Sequence, residues 1–142
     1  MRALPLWVAA LWWGSLSTLG FLVVPLLFVH LPSPAMAGGM AAKLFSAQTV
    51  VSVGCAAVLL LFFRSKSAAA HVNTSYAAII FIVLGMLAAL LVEFGVAPRI
   101  VARDNLVLWH RVGSLLYLLQ WVCATVVFGK LAGARLFPSA PR

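Results

Sequence analysis

Glu93 is the only acidic residue that lies inside an apolar run of this chain, and it poses the chemical question. A carboxylate removed from water is costly unless cations or hydrogen-bond donors meet it, so an acid within a hydrophobic segment is a candidate for holding a cation or passing a proton. Lys43 and Arg111 are near enough in topology to supply the cation, and His110 adds a donor, so Glu93, Lys43, His110 and Arg111 are expected to form one polar cluster. Gln48, Ser114, Tyr117 and Arg99 form a second tier of polar groups toward the same end of the chain's long segments. The alternative role is mechanical, because a buried ion pair can fix helix register without doing any chemistry.

Other chemistries find less support. There is no Gly-x-Ser-x-Gly elbow, no His-Glu-x-x-His and no glycine-rich phosphate loop, so no catalytic residue is assigned and a non-enzymatic role is expected. Cys55 and Cys123 stand alone in separate apolar runs, which points to small packing residues and to neither a disulfide nor a thiolate metal site. The leading expectation is a transport- or stress-associated role; a redox protein with haem held between two histidines is the runner-up reading, since four-helix bundles suit that cofactor, and a non-catalytic membrane scaffold or assembly partner is the third. Only His30 and His110 fall toward one end, with His30 at a loop edge, so no metal and no cofactor is expected.

The elements that carry these residues belong to a membrane. Of 142 residues, 65% are hydrophobic and 8% charged, and the mean hydropathy is +1.13, far outside the range of a water-soluble globule. The net charge of +8 comes from ten Lys and Arg against two acids. These cations punctuate the apolar runs without forming a basic face, which argues for lipid headgroups as partners and against nucleic acid. The expected architecture is an all-α integral membrane bundle of four transmembrane helices, one domain, with spans near 4–29, 40–63, 75–96 and 106–131.

Arg2 followed by an apolar run and Ala35-Met36-Ala37 imitates a signal peptide, but the run is too long for one and is read as a retained helix. Pro25 is expected to kink that helix, and Gly14, Ser17, Thr18 and Phe21 to form a face for close approach. Trp7, Trp12 and Trp13 read as lipid and interface anchors. Pro32, Pro34, Gly38 and Gly39 mark a first loop over 30–39. In the second span Lys43, Gln48, Ser52 and Cys55 recur at near-helical spacing. The next loop contains Arg64, Lys66, Ser67, His71, Asn73 and Thr74.

Gly85, Ala89 and Glu93, four apart in the third span, make a small-small-acid ladder that turns the carboxylate toward a neighbouring helix. A third loop over 97–105 would leave Glu93 about 7–8 Å below it. His110, Ser114, Tyr117 and Trp121 share a face of the last span, and a short tail holds Pro138 and Pro141. No internal repeat is visible, nor any low-complexity stretch beyond Ser67-Ala68-Ala69-Ala70.

Four spans put both termini on one side with Arg2, Arg64, Lys66, Lys130, Arg135 and Arg142, against Lys43, Arg99, Arg103 and Arg111 on the other. That bias places both termini in the cytoplasm of a bacterial inner membrane. Because four helices leave little room for a gated path, a homo-oligomer is a natural expectation.

Trp13-Gly14, Phe21, Pro25, Phe28, Leu31-Pro32, Gly39 and Lys43-Leu44-Phe45 resemble the transmembrane protein 205-like family. So do Glu93 with Pro98-Arg99 and the Trp109-His110-Arg111-Val112-Gly113-Ser114-Leu115 opening of the last span. The resemblance implies a small four-span protein of unassigned reaction, whose eukaryotic relatives are associated with resistance to platinum drugs through export or trafficking. Those relatives carry the acid directly before a proline, whereas four residues separate Glu93 from Pro98 here. Two cysteines and four methionines give a soft-metal carrier little to work with.

Overall fold

The computed structural model describes residues 3–66 and 72–136. Arg2, the 67–71 connection with His71, and the tail with Pro138, Pro141 and Arg142 lie outside the described residues. Among those described there is no strand, and four helices are long and apolar enough to cross a membrane: Leu4–His30, Pro34–Arg64, Tyr76–Val101 and Leu106–Gly133. The protein is an all-α, multi-pass membrane bundle.

Two of these spans change pitch. The first consists of α1 (Leu4–Thr18), a π-helical turn (Leu19–Val23) and α2 (Val24–His30). The second is α3 (Pro34–Lys66). The third consists of α4 (Val72–Leu90), a second π turn (Leu91–Val96) and α5 (Ala97–Val101), and the fourth is α6 (Leu106–Leu136). Pro25 and Pro98 each sit two residues beyond the end of a π turn. A proline cannot donate to the preceding turn, and a wider i→i+5 turn is one way for a helix to pass that missing bond without breaking.

The connections are shorter than the prolines and glycines suggest. Residues 31–33 alone join the first two spans, because the Ser33 hydroxyl accepts the Met36 N–H at 3.3 Å as an N-cap. Pro34 then occupies a first-turn position where it starts a helix instead of stopping one. Gly38 and Gly39 are helical. Likewise the third span continues through Pro98 to Val101, and the turn is confined to 102–105, where Arg103 and Asn105 adopt positive φ of 56° and 35°. The Asn105 side-chain oxygen caps α6 by accepting the Leu108 N–H at 3.3 Å.

α1 packs on α3 and α6, and α4 packs on the same two helices, so the first and third spans face each other across the middle. They meet where the Trp12 ring lies over Gly85. Trp12, Leu16, Leu59, Ile82 and Val127 are fully buried and form an apolar plug. Trp12 is therefore a core residue and not a lipid anchor, while Trp7 is 71% exposed and Trp13 stacks on Phe128 with ring centroids 5.4 Å apart. The close approach expected at Gly14 is absent, since nothing lies within 4 Å of where its Cβ would stand.

A repeat of packing emerges that residue identity conceals. The buried positions Pro5, Ala9, Trp12 and Leu16 of the first span recur at the same intervals in the third as Ala78, Ile82, Gly85 and Ala89. Gln48, Ser52 and Cys55 in α3 recur as Gln120, Ala124 and Val127 in α6. The two helical hairpins thus present the same faces to a common axis, with a large residue on one side answered by a small one on the other.

Candidate functional site

At the end of the bundle where residues 31–33 and 102–105 lie, the four helices separate around a cavity of about 500 Å³. Both π turns border it: Gly20 and Phe21 from the first, Val92, Glu93 and Val96 from the second. The walls are predominantly apolar, and Ser46, Glu93, His110, Ser114 and Tyr117 supply the polar side chains. Cavities of this size and composition are typical small-molecule sites.

Glu93 is half-buried, and one carboxylate oxygen accepts the Ser46 hydroxyl of α3 at 2.9 Å. No ion pair forms among the described residues, so the carboxylate is met by a donor and not by a cation. Continuing the third span to Val101 also places Glu93 about 13 Å from the turn, at 1.5 Å per residue, which is deeper than a loop beginning at Ala97 would give.

The residues expected around Glu93 divide into two groups. His110, Ser114 and Tyr117 share its cavity. Lys43, Arg111 and Arg99 are exposed and do not line it. Arg99 turns back on its own span, donating to the Gly95 carbonyl at 2.6 Å and lying 4.4 Å from the centre of the Trp109 ring. The Ser114 hydroxyl donates to the His110 carbonyl at 2.8 Å, a bond local to its own helix. His30 is exposed, with Nδ1 3.0 Å from the Leu26 carbonyl oxygen, and it is not part of the cavity wall. No three His, Cys, Asp or Glu side chains come together among the described residues.

Ser46 is the residue that sequence reasoning missed. Gly38, Ala42 and Ser46 follow one another at intervals of four on α3, and all three border the cavity. This stripe repeats the spacing of the Gly85-Ala89-Glu93 ladder, which it meets through Ser46 and Glu93, and its regular run of small residues was the available signal.

The cavity floor and the layer beneath it are more tightly built. The Phe45 and Tyr117 rings meet edge to face at 5.2 Å, and the Tyr117 hydroxyl donates to the Leu16 carbonyl at 2.8 Å. Farther in, the Ser52 hydroxyl accepts the side-chain amides of Gln48 at 3.3 Å and Gln120 at 2.7 Å, and Gln48 also donates to Ser15 at 3.0 Å. This layer ties three spans together. Gln48 thus belongs to an interior clamp and not to the cavity. The apolar plug around Trp12 follows, and both the Trp12 and Trp13 indole N–H groups are buried without a hydrogen-bond partner.

A four-span helical bundle with a largely apolar cavity at one end defines the protein as a multi-pass membrane protein with a candidate small-molecule site. Residues 7–106 match the family model described as a domain of unknown function, DUF4149, and the protein belongs to that family. The matched stretch contains Ser46 and Glu93 and ends as α6 begins, so His110, Ser114 and Tyr117 lie beyond it. No curated protein and no solved structure matches the chain.

Proposed function

We propose that the protein is associated with transport or stress resistance and takes a small molecule into the cavity around Glu93. The observation that carries this reading is a carboxylate held by a single serine inside an apolar cavity of ligand size. A purely structural acid would be expected to lie against a cation in a closed contact. The plug around Trp12 argues against an open channel and fits a protein that binds at one face before any rearrangement. The similarity to the transmembrane protein 205-like family supports the same direction. On this reading the protein sits in a bacterial inner membrane with both termini in the cytoplasm, and oligomers supply any path that four helices leave incomplete.

The test is growth of a deletion strain on a panel of drugs and metal salts. The deletion is expected to sensitise cells to a subset of compounds, the native gene to restore growth, and Glu93→Gln to leave growth unrestored at equal protein level. Indifference to every compound, or full rescue by Glu93→Gln, overturns the reading. Haem is the second reading because His110 stands in the cavity wall. A Soret band in the purified protein would put haem in place of the small-molecule role.

A further inference from the structure

We propose that the cavity is selective for amphiphilic organic cations, molecules with one delocalised or quaternary positive charge on an apolar body. This rests on reading the cavity as a ligand site and names the ligand's chemistry.

Charge comes first. Glu93 is the only acidic side chain in the cavity wall, and it has a hydroxyl donor but no cationic partner. Arg99, Arg103 and Arg111, the Lys and Arg residues nearest in sequence, and Lys43 on the facing span are all exposed and absent from the wall, where His110 is the one basic side chain. An anion in a low-dielectric site favours a cation, and one lacking a strongly held water shell gives up least on entering.

Shape excludes the simpler occupants. A bare divalent ion needs several oxygen or nitrogen ligands at short range, and one carboxylate, two serines, one tyrosine and one histidine spread around about 500 Å³ do not provide them. A hydrophilic amine would leave the walls of Phe21, Phe28, Phe45, Val96 and Ile100 without contacts. An apolar body fills that space while its charge reaches Glu93. Aromatic faces among the wall residues add cation–π attraction.

The local backbone also fits this purpose. The π turn over Leu91–Val96 carries Glu93 itself, and the opposing π turn supplies Gly20 and Phe21 across the cavity. Such turns add a residue to the helix and re-aim side chains, and they recur at functional sites.

The test uses the full-length protein purified in detergent and three arylated probes of different charge: tetraphenylphosphonium, neutral triphenylphosphine oxide and anionic tetraphenylborate. Binding is read by equilibrium dialysis against protein-free micelles. Saturable binding of the phosphonium is expected, with the neutral and anionic probes at least about tenfold weaker, equivalent to about 1.4 kcal/mol. Glu93→Gln keeps the size and the acceptor for Ser46, and it should erase that preference. Ser114→Phe projects a ring into the cavity and should block all probes, with circular dichroism and gel filtration confirming that both variants fold.

Equal binding of the phosphonium and the phosphine oxide, blocked by Ser114→Phe, overturns cation selectivity but leaves the cavity a ligand site. Absence of saturable binding by any probe overturns both readings. Transfer into nanodiscs then separates free cations from lipid. Phosphonium binding that persists in phosphatidylglycerol but disappears in phosphatidylethanolamine assigns the site to a lipid ammonium headgroup and overturns the free-cation proposal.

Discussion

The Tyr117 hydroxyl donates to the Leu16 carbonyl oxygen at 2.8 Å, joining the last span to a residue three positions before the first π turn. The Tyr117 ring also lies directly against Gly20, whose N–H would pair with Leu16 in a regular α-helix. A side chain inserted into the helix ladder is a recognised cause of local helix distortion. The floor of the cavity and the pitch change of the first span are therefore one feature.

Tyr117→Phe keeps the ring on Phe45 and Gly20 and removes only the hydroxyl. It is expected to cost about 0.5–1.5 kcal/mol, the net value of one hydrogen bond. Gly20→Ala should cost more, since a Cβ there would stand 2.5 Å from Tyr117 Cε1. Thermal unfolding in detergent checks both. Pairing Gly20→Ala with Tyr117→Ala should abolish most of the glycine effect, and an unchanged penalty would mean that the two residues do not meet.

Gly85, packed against two other spans, differs from Gly14 in a way that stability can measure. At Gly85 an added Cβ would lie 2.8 Å from Trp12 Cη2 and 3.1 Å from Cys123 Cβ, both in the buried core. Gly85→Ala is expected to destabilise by about 1–3 kcal/mol through overpacking. Gly14→Ala meets nothing within 4 Å and should be neutral, or stabilising by up to about 1 kcal/mol from helix propensity. Equal midpoints for the two variants would contradict the packing of Trp12 on Gly85.

Ser52 serves two amides at once. Ser52→Ala leaves the side-chain N–H groups of Gln48 and Gln120 without that acceptor, and a loss of about 1–3 kcal/mol is expected. Gln120→Leu and Ser52→Ala should be less than additive, because each removes the same bond. Chemical denaturation of the two single variants and the double variant supplies the cycle. Strict additivity would show that the amide and hydroxyl do not interact.

Four spans were legible in the chain because a helix in lipid must satisfy its own backbone, so length and hydropathy suffice to find it. The loop boundaries were less so. Pro34 and Pro98 look like stops in sequence, but a first-turn position and a π turn respectively absorb their missing N–H groups. The packing repeat escaped notice because Trp12 corresponds to Gly85, opposites in volume that fit each other across the axis. Glu93 was visible as a lone acid, and its pairing with Ser46 was not, since formal charge points to Lys43 while geometry selects a small donor on the facing helix. His110 was legible as a residue of the same end, and the cavity that it shares with Glu93 required the two pitch changes.

That substitution of partner makes the last prediction. If Ser46 supports Glu93, then Ser46→Ala and Glu93→Gln act on one interaction, and their effects on stability should couple by about 0.5 kcal/mol or more. Lys43 is exposed and forms no ion pair with Glu93, so Lys43→Met combined with Glu93→Gln should add within about 0.5 kcal/mol. An ion pair between Lys43 and Glu93, the arrangement that charge alone suggests, requires the reverse: coupling in the lysine cycle and additivity in the serine cycle. Thermal unfolding of the four single and double combinations in each cycle separates the two. Coupling of Glu93 to Lys43 alone would move the carboxylate out of the cavity wall and toward the loop, and the pocket would lose its only acid.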